Sequence, residues 1–331
     1  MSKTIRAVVY ETHGNPLEVV KVVVQPWPTP AADEAVVKMQ AAPLNPADIN
    51  SIEGKYPIRP ALPATPGMEG AGIVVEIGSD ARGVKMGDLV LLPHNLGTWR
   101  EACAARAEKL VVVPPGIEAV QAAMLKVNPI TAWRMLHDFV PLQRGDWFIQ
   151  NAANSAAGRA AIQIGRGLGY KSVNIVRRAE LVEELREEGG DVVVVDGEQL
   201  REEILAQTGG AAIRLALNAV GGASALRMAK ALADDATMVT YGAMSLEPLT
   251  IPNGMLIFKN LKFTGFWVNK WYDAATPAQR AETFVPLFEM AQRGLLRTKV
   301  DAIYSLGEAS AAIRHAMQNK RNGKVVFQFG A

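Results

Sequence analysis

Eight residues, Asn151-Ala152-Ala153-Asn154-Ser155-Ala156-Ala157-Gly158, follow a short apolar run, Trp147–Gln150. They precede a stretch with apolar residues at helical spacing, Ala160, Ala161, Ile164 and Leu168. A strand-to-helix loop of small residues lets backbone N–H groups approach a pyrophosphate at the helix N-terminus. The run is not G-x-G-x-x-G, and any tight strand–helix turn also favours small residues. The next apolar run, Ser172–Val176, ends in Arg177-Arg178, and position 177 lies 19 residues after Gly158. A site for NAD carries Asp or Glu there, which accepts from the ribose 2′-hydroxyl. Arginine cannot accept, but a guanidinium can clamp a 2′-phosphate with charge-assisted, bidentate bonds. The pair therefore points to NADPH; the alternative is two solvated arginines in a loop.

The elements around these residues fit that chemistry. Six apolar runs (Trp147–Gln150, Ser172–Val176, Asp191–Val195, Arg214–Asn218, Thr237–Tyr241 and Leu261–Phe266) alternate with helical stretches. That alternation predicts parallel βαβ units and an α/β, doubly wound six-stranded sheet. Upstream, residues 1–125 read as β-rich, with short β-branched runs between Gly and Pro punctuation. Downstream, Phe284, Leu287, Phe288 and Ala291 share one helical face, with Pro286 inside it predicting a kink or a break. A last strand is expected over Lys324–Phe329.

Composition narrows the class. The chain has 331 residues, 49% of them hydrophobic, and a formal net charge of +2. That length suits two domains, and no basic stripe suggests nucleic acid. No apolar run approaches the roughly 20 residues that span a bilayer. Cys103 is the one cysteine, so neither an intramolecular disulfide nor a multi-cysteine zinc site can form. His13, His94, His137 and His315 show no ligand spacing. The first ten residues enter a strand-like pattern with no secretory or Arg/Ser-rich leader. With the single cysteine, this sets the expectation of a cytoplasmic protein.

Several stretches then carry a resemblance. They are Asn45-Pro46-Ala47-Asp48-Ile49-Asn50, Gly54-Lys55-Tyr56, Pro63-Ala64-Thr65-Pro66-Gly67-Met68-Glu69-Gly70, Gly97-Thr98-Trp99-Arg100 and Val127-Asn128-Pro129. Further along come Gln150-Asn151-Ala152-Ala153-Asn154-Ser155, Leu217-Asn218-Ala219-Val220-Gly221-Gly222, Val239-Thr240-Tyr241-Gly242 and Gly265-Phe266-Trp267. From end to end the chain resembles the medium-chain dehydrogenase/reductase superfamily. Within it the chain is similar to the trans-2-enoyl-CoA or acyl-carrier-protein reductases of mitochondrial type and their bacterial relatives.

The resemblance implies a GroES-like, β-rich catalytic domain from residues 1–125 and 269–331. It implies a Rossmann NADP-binding domain over residues 126–268, a substrate cleft and a homodimer. Zinc-containing members carry Gly-His-Glu; here the stretch is Gly67-Met68-Glu69, and a thioether is a poor zinc ligand, so no metal is expected. The implied reaction reduces an enoyl thioester, on CoA or acyl carrier protein, with hydride to Cβ and a proton to Cα. Tyr56 takes the proton donor's place, and an ordinary tyrosine, pKa about 10, is protonated at neutral pH. Cofactor contacts are implied for Asn128, Asn154, Ser155, Ala156, Ala157, Arg177, Arg178, Tyr241, Gly242, Ala243, Met244, Phe266, Trp267, Val268 and Lys324. One departure stands out: the family's Arg-x-Arg becomes Arg177-Arg178-Ala179, so Arg178 must compensate if NADPH is to be preferred. Rival readings are a quinone or enone reductase of the same superfamily, a carboxylating enoyl reductase, and a non-catalytic NADPH-binding protein.

Overall fold

The structure is a computed structural model and describes residues 3–318 and 320–330. The chain divides into two compact units, one from Met1–Val127 with Arg297–Ala331, the other Asn128–Leu296.

The first unit holds β1 (Thr4–Tyr10), β2 (Val20–Pro26), β3 (Glu34–Pro43), β4 (Ala71–Ile77), β5 (Leu89–Leu91), β6 (Ala102–Arg106) and β7 (Val111–Val112). β1 and β2 pair antiparallel, Thr4 opposite Pro26 and Tyr10 opposite Val20. The long strand β3 is the organiser: it pairs antiparallel with both β4 and β6. The C-terminal strand Lys324–Gln328 pairs with the end of β3 beyond β6, Phe327 opposite Ala42. The tail therefore completes the sheet begun by the N-terminal half. Its Phe327 meets the ring of Trp99 edge-on at 5.3 Å. Both rings are fully buried, with Tyr10, Met39 and Leu44 in the same core. Trp99 is thus a core residue whose indole N–H donates to the Pro43 carbonyl at 3.3 Å. Arg100 binds the carbonyls of Gly97 and Leu96 and braces its own loop.

The second unit is a single six-stranded sheet. Its strands are β8 (Trp147–Gln150), β9 (Lys171–Val176), β10 (Val192–Val195), β11 (Ile213–Asn218), β12 (Thr237–Thr240) and β13 (Lys262–Gly265). The spatial order is β10-β9-β8-β11-β12-β13, every pair parallel. The order reverses between β8 and β11, and in such sheets ligands bind outside the carboxyl ends of the strands at that reversal. The β-branched runs of β9 and β10 form strands that are covered on both faces. Ile149, Val173, Val194 and Ala216 face the larger cluster, while Val176 and Val193 face the one containing Ile162 and Leu185. The last strands in the chain, β14 (Val300–Tyr304) and β15 (Lys324–Gln328), return to the first unit.

Two expectations are corrected. Residues 269–296, read from the sequence as part of the first domain, group with the second unit. The helix Pro277–Gln292 lies on Asn128–Asp138, with the Arg134 guanidinium donating to the Thr283 hydroxyl at 3.4 Å. Its Met290 also reaches Gly167 of the Ala156–Leu168 helix. Of the kink or break expected at Pro286, the break does not occur: one helix runs through the proline. Phe284 before the proline and Leu287 and Phe288 after it are all buried, so both halves are packed.

Candidate active and cofactor site

The loop after β8 is built by polar side chains inside an otherwise apolar sheet. Gln150, at the end of β8, donates to the Gly158 carbonyl at 2.9 Å and to Asn174 on β9 at 2.8 Å. Next to it Asn151 spans the reversal point. Its amide donates to the Asn218 side chain at 2.9 Å, and its oxygen accepts from the Ala219 N–H at 2.7 Å. All four side chains are buried. Unpaired they would cost free energy, but paired they fix the strand ends. Ala152 takes φ 48° to turn the chain. Ser155 then caps the Ala156–Leu168 helix, its hydroxyl accepting from the Gly158 N–H at 3.1 Å. Gly158 has to be glycine: a Cβ there would lie 2.5 Å from the Ala153 carbonyl oxygen. The outcome is a helix N-terminus with its first-turn donors at the carboxyl end of the sheet.

Other sequence-predicted residues converge on the same end of the second unit. Arg177 is exposed directly after β9, and Arg178 is half-buried, 3.3 Å from Glu180. The segment Tyr241-Gly242-Ala243-Met244 follows β12 and runs beside the residues after β11. The Tyr241 N–H donates to the Asn218 carbonyl at 2.9 Å and the Met244 N–H to the Ala219 carbonyl at 3.0 Å. A Cβ on Gly242 would sit 2.8 Å from the Ala219 oxygen, so only glycine allows this approach. The Tyr241 hydroxyl is buried and has no hydrogen-bond partner among the described residues. It faces Ser155 closely enough to feel it, without hydrogen-bond geometry, and burial pushes its pKa up to about 12. Phe266 follows β13 and packs edge-on against Phe139 at 6.3 Å. Trp267 is 38% exposed and Val268 is buried. Asn128 opens the Asn128–Asp138 helix.

Tyr56 and Lys324 lie in the first unit. The helix Pro46–Ile52 starts at Asn45, with Pro46 at its first position. Asp48 reaches back to the Asn45 N–H at 2.8 Å and also accepts from the Met68 N–H at 2.9 Å. At the other end of this helix the N–H groups of Lys55 and Tyr56 both donate to the Asn50 carbonyl, at 2.8 and 3.1 Å. The half-buried Tyr56 is thereby fixed to the end of a helix whose start is anchored in a buried polar cluster. That cluster holds Lys324. The residue is 5% exposed, and its ammonium donates to the Asn45 side-chain oxygen, while the Asn45 amide donates to Glu69 at 3.0 Å. The second Glu69 oxygen takes the Val127 N–H at 2.9 Å. Lys324 is thus neither a solvated surface lysine nor a side chain extended into solvent for a phosphate. Burial pushes the Asp48 carboxyl up to about 7 against the pull of the Asn45 N–H and Lys324. Burial also raises Glu69 and lowers Lys324 to about 8, the latter despite the carboxylates.

Residues 31–126 match the alcohol dehydrogenase GroES-like domain, and residues 156–283 match the zinc-binding dehydrogenase model. The mitochondrial enoyl-[acyl-carrier-protein] reductase of Caenorhabditis elegans is 42% identical over 299 residues, covering 88% of this chain and 86% of that one. The human protein of the same name is 40% identical over 326 residues, 95% and 86% of the two chains. The chain belongs to the enoyl thioester reductases of the medium-chain dehydrogenase/reductase superfamily. Among solved structures, the Etr1p complex with NADP and crotonyl-CoA matches at 30% identity and a TM-score of 0.89, over 99% of this chain and 100% of that one. A putative NADPH:quinone reductase from Bacillus thuringiensis matches at 28% identity and a TM-score of 0.92, with the same coverage.

For this enoyl thioester reductase two points follow. The names of its relatives correct the expected location: the relatives are mitochondrial proteins, and the cytoplasmic reading, which rested on one cysteine and the first ten residues, falls. The zinc in the name of the second family model does not fit the side chains present. Met68 stands where a zinc ligand would, both oxygens of Asp48 and of Glu69 hold N–H groups, and the Lys324 ammonium lies among them. Among the described residues no three His, Cys, Asp or Glu side chains converge as a metal site.

Sequence reasoning missed the partners that hold the site together. Asn151 and Asn218 stood inside quoted motifs without a role. Arg159, whose guanidinium donates to the Asn154 carbonyl at 3.2 Å, was not singled out at all. The available signal was polarity: Gln150, Asn151, Asn174 and Asn218 interrupt or end strands that are otherwise apolar.

Proposed function

We propose that this protein reduces trans-2-enoyl thioesters to acyl thioesters with NADPH. The observation that carries the reading is the carboxyl end of the parallel sheet. It presents a Ser-capped helix N-terminus, the orphaned buried hydroxyl of Tyr241, and two arginines after the neighbouring strand. Those groups fit a 2′-phosphorylated dinucleotide. Asn154–Ala157 and the first turn of the helix hold the pyrophosphate, Arg177 and Arg178 hold the 2′-phosphate, and Asn128, Tyr241–Met244 and Phe266–Val268 orient the rest.

Bound there, NADPH supplies hydride to the Cβ of the enoyl thioester. The protein's own task is then to deliver a proton to Cα. Tyr56 does this from its hydroxyl, and a positioned acid of this kind contributes typically ~10²–10⁴-fold. Family names support the substrate class: relatives named enoyl-[acyl-carrier-protein] reductase are 35–44% identical over most of the chain. Crotonyl-CoA in the Etr1p complex supports CoA thioesters as one carrier, and the relatives' names support acyl carrier protein as another.

The same reading includes a homodimer. Among the described residues the edge strand β13 pairs with β12 alone. Beside it in the chain stand Ile257 and Phe258, 69% and 82% exposed, with Leu246 at 90%. An open strand edge flanked by exposed apolar side chains is suited to pairing with a second copy.

The second reading, a quinone reductase, has one observation in its favour, the Bacillus thuringiensis match. Isotope placement separates the two. Reduction of crotonyl-CoA in deuterium oxide with unlabelled NADPH should put solvent deuterium on Cα and none on Cβ. Solvent deuterium on Cβ, or consumption of NADPH only with a quinone, would overturn the enoyl reductase reading.

A further inference from the structure

Arg159 sits in the first turn of the Ala156–Leu168 helix, yet it is 4% exposed. A cation at a helix N-terminus opposes the macrodipole, and a buried one needs partners. It has them. One guanidinium nitrogen donates to Glu184 at 2.9 Å and another to Glu188. The third, Nε, donates back to the Asn154 carbonyl at 3.2 Å. Both glutamates come from the helix Val182–Glu187 and its end, which follows Arg177-Arg178 and a single 3-10 turn, Ala179–Leu181. Leu181 and Leu185 of that segment pack with Ala153 of the loop and Ile162 of the longer helix.

The peptide between Asn154 and Ser155 is therefore held at both ends. Its carbonyl is on Arg159 and its N–H is on the Ala152 carbonyl at 2.9 Å. Because the peptide is planar, fixing those two groups fixes the direction in which Ser155 and the first helical N–H groups point. The guanidinium fork matters, since it reaches one backbone carbonyl and two carboxylates at once.

We propose that Arg159 is a positioning residue for the cofactor: clamped by Glu184 and Glu188, it holds the Asn154 carbonyl and thereby sets the Asn154–Ala157 loop to receive the dinucleotide pyrophosphate. This rests on the reading of that loop as the pyrophosphate site. The residue acts through the loop and does not touch the cofactor. Its effect is therefore shared by NADPH and NADH, which have the same pyrophosphate, and falls on cofactor affinity rather than on the proton transfer.

The test is a fluorescence titration of the full-length chain with NADPH and with NADH, alongside a melting curve for each variant. In Arg159→Met both cofactors should bind roughly tenfold more weakly, the loss expected for one charge-assisted hydrogen bond. The ratio of the two affinities should stay as in the parent, and kcat at saturating NADPH should be retained. The triple variant R159M/E184Q/E188Q removes the two carboxylates left without their guanidinium. It should remain as weak as Arg159→Met. Parental affinity in the triple variant would reduce Arg159 to a charge neutraliser, and parental affinity in Arg159→Met would make it a brace without a role in binding; either overturns the proposal. Should Arg159→Met fail to fold, Arg159→Lys reads the same point: it keeps the charge but cannot span all three partners, and full affinity in it would overturn the proposal equally. A parent chain that binds NADPH but reduces no enoyl thioester would overturn the reductase reading, while the affinity comparison would still decide the role of Arg159.

Discussion

At the scale of single residues, the account depends on one hydroxyl and two guanidinium groups. Tyr56 needs no pKa tuning to be an acid at neutral pH; it needs to be held, and the Asn50 carbonyl holds its backbone. Tyr56→Phe should lower kcat with enoyl thioesters by ~10²–10⁴ and leave NADPH affinity unchanged, as read by steady-state kinetics beside a binding titration. A variant with parental kcat would remove Tyr56 from the chemistry. Arg177 and Arg178 act on a different quantity. Replacing both with Ala should raise the KM for NADPH roughly 10- to 100-fold, the worth of charge-assisted bonds to a phosphate, and should barely move that for NADH. Arg178 already leans on Glu180 at 3.3 Å, so under the proposed role its guanidinium would exchange one anion for another. Ala179 offers no third cation, and an equal loss for both cofactors would show that the pair does not read the 2′-phosphate.

At the scale of elements, the helix Pro46–Ile52 ties Tyr56 to the buried cluster of Asn45, Asp48, Glu69 and Lys324. The folded chain raises the pKa of Asp48 to about 7 from 3.8, chiefly by burial. A carboxyl raised in this way binds its proton more tightly in the native state. Its favourable share of stability is full below the unfolded value and is lost as pH rises through the folded one. Asp48→Asn should therefore destabilise more at pH about 5 than at pH about 8, as compared by thermal melting. A loss that grows toward pH about 8 would contradict the assignment.

The elements also show how far the sequence could be read. The six strands of the second unit were legible because β-branched runs alternate with helical spacing, and both patterns are local. The strand–loop–helix unit around Asn151–Gly158 was legible from small residues between an apolar run and a helical pattern. What was not legible depends on partners far apart in the chain. Asn151 meets Asn218 across 67 residues. Arg159 meets Glu184 across 25. Lys324 meets Asn45 across 279, a partner out of view until the tail strand is laid beside β3. Tyr56 is a different case: resemblance picked it out, and no local pattern distinguishes it from a tyrosine on any loop. Pro286 misled for the opposite reason, because a local breaker was overruled by the burial of Phe284, Leu287 and Phe288 around it.

At the scale of the whole molecule, the proposed duties fall on two compact units, Tyr56 in one and the proposed dinucleotide groups in the other. The exposed apolar side chains near β13 set the expectation for assembly. Phe258→Asp combined with Ile257→Asp should shift the mass in solution from dimer to monomer by light scattering after size exclusion, and an unchanged mass would place the interface elsewhere. The central claim concerns which substrate drains NADPH. The most direct measurement is the rate of NADPH oxidation by the purified parent chain with crotonyl-CoA, with a longer trans-2-enoyl-CoA, and with a simple quinone, each with and without a chelator. The account predicts fast turnover with the enoyl thioesters that the chelator leaves untouched, and little with the quinone. Turnover with the quinone alone, or none with either thioester, would contradict it.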